Sequence, residues 1–190
     1  EKFSLERVGK APASFDPKKL WSFQDDYMQR VPSKQKTPRM IPYLQQAGVL
    51  PSPVPCDVGP VLTRIADAAG NRIKTFGDVL SYADFFTPDE TLTYDPTAWA
   101  KGLQAPGAVE LLGRYRAQLA TVEPFEPARL ETFSQEFIAA EGKKIGELVH
   151  PLRVALTGKG VGIGLFDTLA ILGRERSLIR IDRAIERAKS

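Results

Sequence analysis

Apolar residues return along this chain every three or four positions over residues 16–188, with polar residues between them. That spacing predicts amphipathic helices. Asp16-Pro17 reads as a helix start, an N-cap acid followed by proline at the first helical position. Leu20, Phe23 or Gln24, Tyr27 and Val31 then line one side, and Pro32 ends the helix. Thr37-Pro38 opens a second helix over 38–47, closed by Gly48. A third covers 57–69, with Val61, Leu62, Ile65 and Ala69 as its stripe and Gly70 as its stop. Thr75 caps the next, with Asp78 as a capping-box partner and Val79, Leu80, Ala83 and Phe86 as the buried side. A polar loop over 87–95 includes one short extended piece. Helices follow over 96–102, over 106–121 with Val109, Leu112, Tyr115 or Arg116 and Leu119 in register, and from Pro127 to Gly142. In the last of these, Leu130, Phe133, Phe137 and Ile138 repeat at i, i+3, i+7 and i+8. No two-residue hairpin turn separates alternating runs, so nothing argues for a sheet. The expected fold class is all-α, roughly ten helices of about 11 residues.

Residues 143–173 carry the strongest pattern. Two apolar helical segments, 145–156 and 165–172, flank a hinge over 158–164 in which four of seven residues are glycine. Glycines there supply positive φ and leave backbone N–H groups uncovered. Arg153 sits inside the first apolar segment. Such a helix pair can grip an anion or a base edge, or simply turn a tight corner. The closing helix, 177–188, puts Leu178, Ile181 and Ile185 on one side and Arg176, Arg180, Arg183 and Arg187 on the other. The arginine row reads as a solvated face with Asp182 and Glu186 as i, i+4 partners. The LPSPVP stretch at 50–55 is a stiff extended linker and a candidate boundary.

Composition narrows the classes. The 190 residues are 43% hydrophobic and 26% charged, ordinary for a globular domain with a real core. Net charge is +3, which allows a nucleic-acid partner without demanding one. A single cysteine, Cys56, forbids an intrachain disulfide and fits a reducing, cytoplasmic compartment. No run of 18 apolar residues occurs, so no membrane partner is expected; residues 161–173 come nearest and are broken by Asp167. No secretory signal is seen, and Glu1 in place of an initiating Met suggests a fragment or processed chain.

Catalytic patterns fail in turn. Thr157-Gly158-Lys159 lacks the glycine that a phosphate loop needs five residues before Gly158, where Arg153 stands. A GxGxxG motif starting at Gly160 meets Leu165 at its third glycine. His150 precedes Pro151 and reads as structural, Glu141 and Glu147 form no acid pair, and Cys56 and His150 make neither a metal set nor a catalytic pair. Lys34, Lys36 and Arg39 read as a basic surface loop that could extend a phosphate-contact stripe. Arg153 on residue physics alone favours a snorkelling or ion-paired side chain over a ligand contact.

Several segments nonetheless resemble bacterial glutamyl-tRNA synthetases. FSLERVGKAPA at 3–13 with FDPKKLW at 15–21 is similar to the segment after their active-site lysine loop. RIKTF at 72–76 and FFTPDE at 85–90 resemble the middle of their anticodon-binding region. EGKKIGELVHPLRVALTG at 141–158, paired with GLFDTLAILGRERSLIRIDRAI at 164–185, matches their C-terminal anticodon-binding helices. The resemblance implies a stem-contact tail at 1–40, a first helical anticodon-binding subdomain at 41–95 and a C-terminal one at 96–190. It implies recognition of tRNA(Glu) through the anticodon loop. Catalysis, with ATP and Mg, would belong to a catalytic domain elsewhere in the parent ligase, so no cofactor is expected in this chain. By position, Arg153, Gly162, Ile163 and Leu165 match residues that touch anticodon bases, and Arg72, with Lys74 beside it, matches the arginine that reads the third base. The family often carries Thr-Pro where this chain has Gly162-Ile163, a departure that bears on the loop's stiffness and removes a side-chain hydroxyl contact while backbone contacts could survive. The alternatives are a free-standing tRNA-binding paralogue and a helical protein-interaction module.

Overall fold

The computed structural model describes residues 16–190, which form helices and no strand. The 3–13 resemblance therefore lies outside the described residues. In chain order the α-helices are α1 (Pro17–Arg30), α2 (Ser33–Gln46), α3 (Val58–Ala69), α4 (Pro96–Gly102), α5 (Ala108–Leu119), α6 (Pro127–Ala140), α7 (Ile145–Thr157) and α8 (Leu165–Lys189). Three 3₁₀ stretches, Gly70–Arg72, Phe76–Phe85 and Asp89–Thr91, fill the gap between α3 and α4. The helix starts follow the caps: Asp16 accepts from the Lys18 and Lys19 amides, and Asp95 from that of Ala98.

α2 packs on α3 and on the 76–85 stretch, while α7 and α8 pack together with α4, α5 and α6 around them. One core runs through both groups, from Met40, Leu62 and Ile65 to Leu112, Leu152 and Leu169. Arg64 on α3 donates to the Ala170 carbonyl of α8 at 2.7 Å and joins them. The 50–55 stretch connects α2 to α3, and α2 runs unbroken across residues 40 and 41.

Four local expectations change. α2 begins at Ser33, because Pro32 serves as its N-cap; Pro38 and Pro42 lie inside the helix. Thr37 caps nothing: its hydroxyl donates to the Ser33 carbonyl and meets the Thr63 hydroxyl at 3.0 Å. Lys34, Lys36 and Arg39 consequently stand on a helix, and Lys36 is buried. α1 leaves Leu20, Phe23 and Tyr27 exposed and buries only Met28, docking instead through Gln24 and Asp25 onto Lys74. The capping box of Thr75 and Asp78 is present, but the helix it opens is 3₁₀. Its buried hydrophobic residues, Val79, Tyr82 and Phe85, fall every third position, the 3₁₀ period, and Leu80 turns outward.

The fourth change is the arginine row of α8, which faces inward. Arg180 is 0% exposed. It bonds the carbonyls of Leu156, Asp84 and Thr87 and the Asp89 carboxylate. Arg176 takes Phe85, Thr87 and Asp89, and Arg183 takes the carbonyls of Asp89 and Leu92. Arg187 lies over the Tyr94 and Trp99 rings at 5.3 and 5.5 Å. The chain over 85–92 is too irregular to pair its own carbonyls, and buried carbonyls need donors. The row supplies them. Asp182 pairs with Arg116 on α5 rather than along its own helix.

Candidate nucleic-acid interface

α7 ends where its sequence says it must. Gly158 closes it at φ 72°, and a Cβ there would sit 1.9 Å from the Thr93 carbonyl oxygen, so only glycine fits. Its own carbonyl accepts from the Asp95 amide at 2.8 Å. The 158–164 loop is thus pinned to the entry of α4 at one end. At the other, the Gly164 carbonyl accepts from the Thr168 amide and hydroxyl, starting α8.

Arg153 holds the middle. Its Nη1 donates to the Ile163 carbonyl at 2.7 Å. Its other donors are neither paired nor buried among the described residues. Burial lowers the guanidinium pKa, and the positive charge of nearby Arg72 lowers it further. Arg72 ends the Gly70–Arg72 turn and is exposed. It also acts on Tyr82, whose phenol is pushed up by burial while Arg72 pulls it down. The charge of Arg72 thus reaches both Arg153 and Tyr82. Among the described residues neither arginine has an ion-pair partner. Two like charges that act on each other and have no ion-pair partner among the described residues favour an anionic ligand.

The other sequence-derived site residues divide. Gly162 is exposed, and a Cβ there would lie 3.5 Å from Arg153 Nη1, an ordinary contact. Ile163 and Leu165 are buried in the core, so at these positions only backbone is offered to a ligand. Lys74 is engaged, its Nζ 2.9 Å from the Asp25 carboxylate. Two residues emerge that the sequence pattern passed over. Tyr82 lies at a backbone kink (φ −114°, ψ 19°), where the charge of Arg72 reaches its phenol. Lys159 leaves the glycine loop to bond the Ser81 carbonyl and the Asp84 carboxylate. Its apparent phosphate-loop context had concealed a structural lysine; only the distant Asp84 reveals the role.

On the flank of the loop runs a groove of about 590 Å³ between α4 and α7, walled by Ala98, Val154, Thr97, Lys101, His150 and Val161. Val161 at its lip is 80% exposed, an apolar side chain presented to solvent by the loop tip. No group of His, Cys, Asp and Glu among the described residues is arranged to hold a metal ion. No helix among them is long and apolar enough to cross a membrane.

The sequence model of the anticodon binding domain matches residues 35–185, most of the chain. The chain belongs to the anticodon-binding domain family. It is 36% identical over 184 residues to the glutamate–tRNA ligase of Moorella thermoacetica, covering 97% of this chain and 37% of that protein. Against the glutamate–tRNA ligase of Roseiflexus castenholzii it is 37% identical over 186 residues, covering 97% and 36%. The fold matches a glutamate tRNA ligase from Elizabethkingia meningosepticum at TM-score 0.80 and 24% identity, over 97% of this chain and 35% of that one. The chain thus spans little more than a third of the length of these relatives. The all-α expectation holds, and so does the resemblance to the anticodon-binding region of this family.

Proposed function

We propose that the chain recognises tRNA(Glu) through the anticodon loop, as part of a longer glutamate–tRNA ligase whose ATP- and Mg-dependent chemistry lies outside residues 1–190. One observation carries this reading: Arg153 holds the Ile163 carbonyl with one nitrogen, has no ion-pair partner among the described residues, and lies against the bare, exposed backbone of Gly162. Anticodon bases are single-stranded and unstacked, and proteins read them on their edges with side chains and backbone. Arginine offers a planar fork of donors for a base edge or a phosphate. The backbone of Gly162 and Ile163 offers donors and acceptors with no side chain at 162 in the way. Lysines and arginines elsewhere on the surface would position the stem without reading sequence.

The test is binding of the chain to anticodon stem-loops whose three anticodon bases are varied one at a time. The matched stem-loop should bind best, each wrong base should cost about 1–3 kcal/mol, and all binding should weaken with salt. Equal affinity for every anticodon would reduce the site to a general phosphate surface. Binding by an acidic protein and not by RNA would instead favour an interaction module.

A further inference from the structure

Lys159 begins in the glycine loop and ends on a different part of the fold. Its Nζ lies 2.8 Å from the Ser81 carbonyl oxygen and 2.6 Å from Asp84 Oδ1. Those two residues bracket Tyr82, the phenol in the field of Arg72. Asp84 is 7% exposed, and Lys159 is the one side chain among the described residues that hydrogen-bonds its carboxylate. α7 itself packs on α4, α5, α6 and α8 rather than on the 76–85 stretch. Arg180 joins Leu156 and Asp84 through their carbonyls at core depth. Lys159 makes the corresponding link at the surface, and it acts on the loop directly.

We propose that Lys159 is a positioning residue that locks the 158–164 loop to the Arg72–Tyr82 wall, so that the two halves of the anticodon site read their bases as one unit. This rests on the anticodon-reading function above. A loop held by the strap sits at a fixed distance from Arg72. A base accepted on one side then places the next base correctly for the other. Released from Asp84, the loop keeps its anchors at Gly158 and Arg153 but shifts independently of Arg72. Each half then still binds, without informing the other.

The experiment is a cycle of stem-loops: matched, changed at the first anticodon base, changed at the third, and changed at both. In the wild-type chain the double change should cost less than the product of the single changes, by about fivefold, the mark of coupled sites. In Lys159→Met the losses should multiply to within about twofold. Asp84→Asn removes the partner while leaving the lysine charge for RNA, and should lose the coupling as well. Lys159→Arg can still reach Asp84 and should retain it. Hydrogen exchange of the 159–163 amides without RNA gives an independent reading, about tenfold faster in Lys159→Met if the strap holds the loop. Coupling that survives in both Lys159→Met and Asp84→Asn, or wild-type losses that already multiply, would overturn the proposal. If wild type bound no stem-loop while the exchange difference persisted, the anticodon reading would have failed and the strap would be structural only.

Discussion

Arg180 on α8 and Arg153 on α7 are both arginines among apolar helix residues, and their surroundings differ in kind. Every guanidinium nitrogen of Arg180 is bonded, to three carbonyls and one carboxylate, and none of it reaches solvent. Arg153 spends one nitrogen on the Ile163 carbonyl and, among the described residues, keeps the rest open, with the positive charge of Arg72 acting on it. The first arrangement costs desolvation and recovers it only because all donors are satisfied. The second leaves positive charge uncompensated, which is unfavourable in the free protein and favourable when an anion arrives. The single bond to Ile163 aims the fork without using it up. Burial of an arginine therefore does not separate structure from recognition in this fold; the inventory of its partners does.

The comparison breaks first at Arg180. Arg180→Met takes the donor from the Leu156 and Asp84 carbonyls and leaves the Asp89 carboxylate and the Thr87 carbonyl to Arg176 alone, and should cost roughly 1–3 kcal/mol of stability for each stranded carbonyl. Thermal or urea unfolding measures this directly. A loss below about 1 kcal/mol would mean that the buried network is no more than a packed surface pair.

Arg153→Ala is the opposite case. Alanine suits the helix, and the lost bond to Ile163 should cost only about 0.5–1.5 kcal/mol of stability. Stem-loop binding should fall by roughly 1.5–3 kcal/mol, the worth of a charge-assisted hydrogen bond. A large fall in melting temperature with RNA affinity intact in the cold would place Arg153 with Arg180 and dissolve the contrast.

Arg72→Gln sharpens it further. Arg72 is exposed and bridges nothing among the described residues, so melting should stay unchanged. Discrimination at one anticodon base should drop by about 1–3 kcal/mol, more than total affinity does. A uniform loss for all anticodons would make Arg72 a phosphate contact.

The two arginine sets also mark how far the sequence can be read. Helical periodicity carried the all-α class, and local chemistry carried the ends: Asp16-Pro17, the Thr75–Asp78 box and the Gly158 cap all stand where the sequence puts them. Arg153 and the glycine loop were visible as a pair because ten residues separate Arg153 from its Ile163 partner. What escaped depended on distant partners. The α8 arginines look solvated because their acceptors are main-chain carbonyls of 84–92 and 156, which no side-chain pattern announces. Val79, Tyr82 and Phe85 fit a spacing of three as well as one of 3.6 over so short a stretch, so 3₁₀ and α could not be told apart. Thr37-Pro38 carries every mark of a helix start and is overridden by Pro32 five residues earlier. That the charge of Arg72 reaches Arg153 is a matter of tertiary packing alone.

The smallest effect separates the two sets by pH. Burial alone would raise the Asp89 carboxyl, but hydrogen bonds from Arg176 and Arg180 outweigh it and hold the group below its ordinary value of 3.8. A carboxylate whose folded pKa is depressed stabilises the fold above its unfolded pKa, and that stability disappears as pH falls through the folded value. The Asp89 contribution is therefore full near neutrality and lost below about pH 4. Asp25, Glu141 and Glu147 are lowered in the same direction by Lys74, Arg114 and the Lys144 amide, so they add to the same acid limb. Urea midpoints measured from pH 6 down to pH 3 should fall in wild type. Asp89→Asn should start less stable at pH 6 and fall less steeply, since one of the depressed carboxyls is gone while the exposed ones remain. Arginine stays cationic throughout this window, so Arg153 contributes nothing to the slope. Arg153→Ala should therefore reproduce the wild-type acid limb, displaced by a constant. An altered slope in Arg153→Ala, or an unaltered one in Asp89→Asn, would mean that the protons are taken up elsewhere and that the arginine row is not what holds the Asp89 charge.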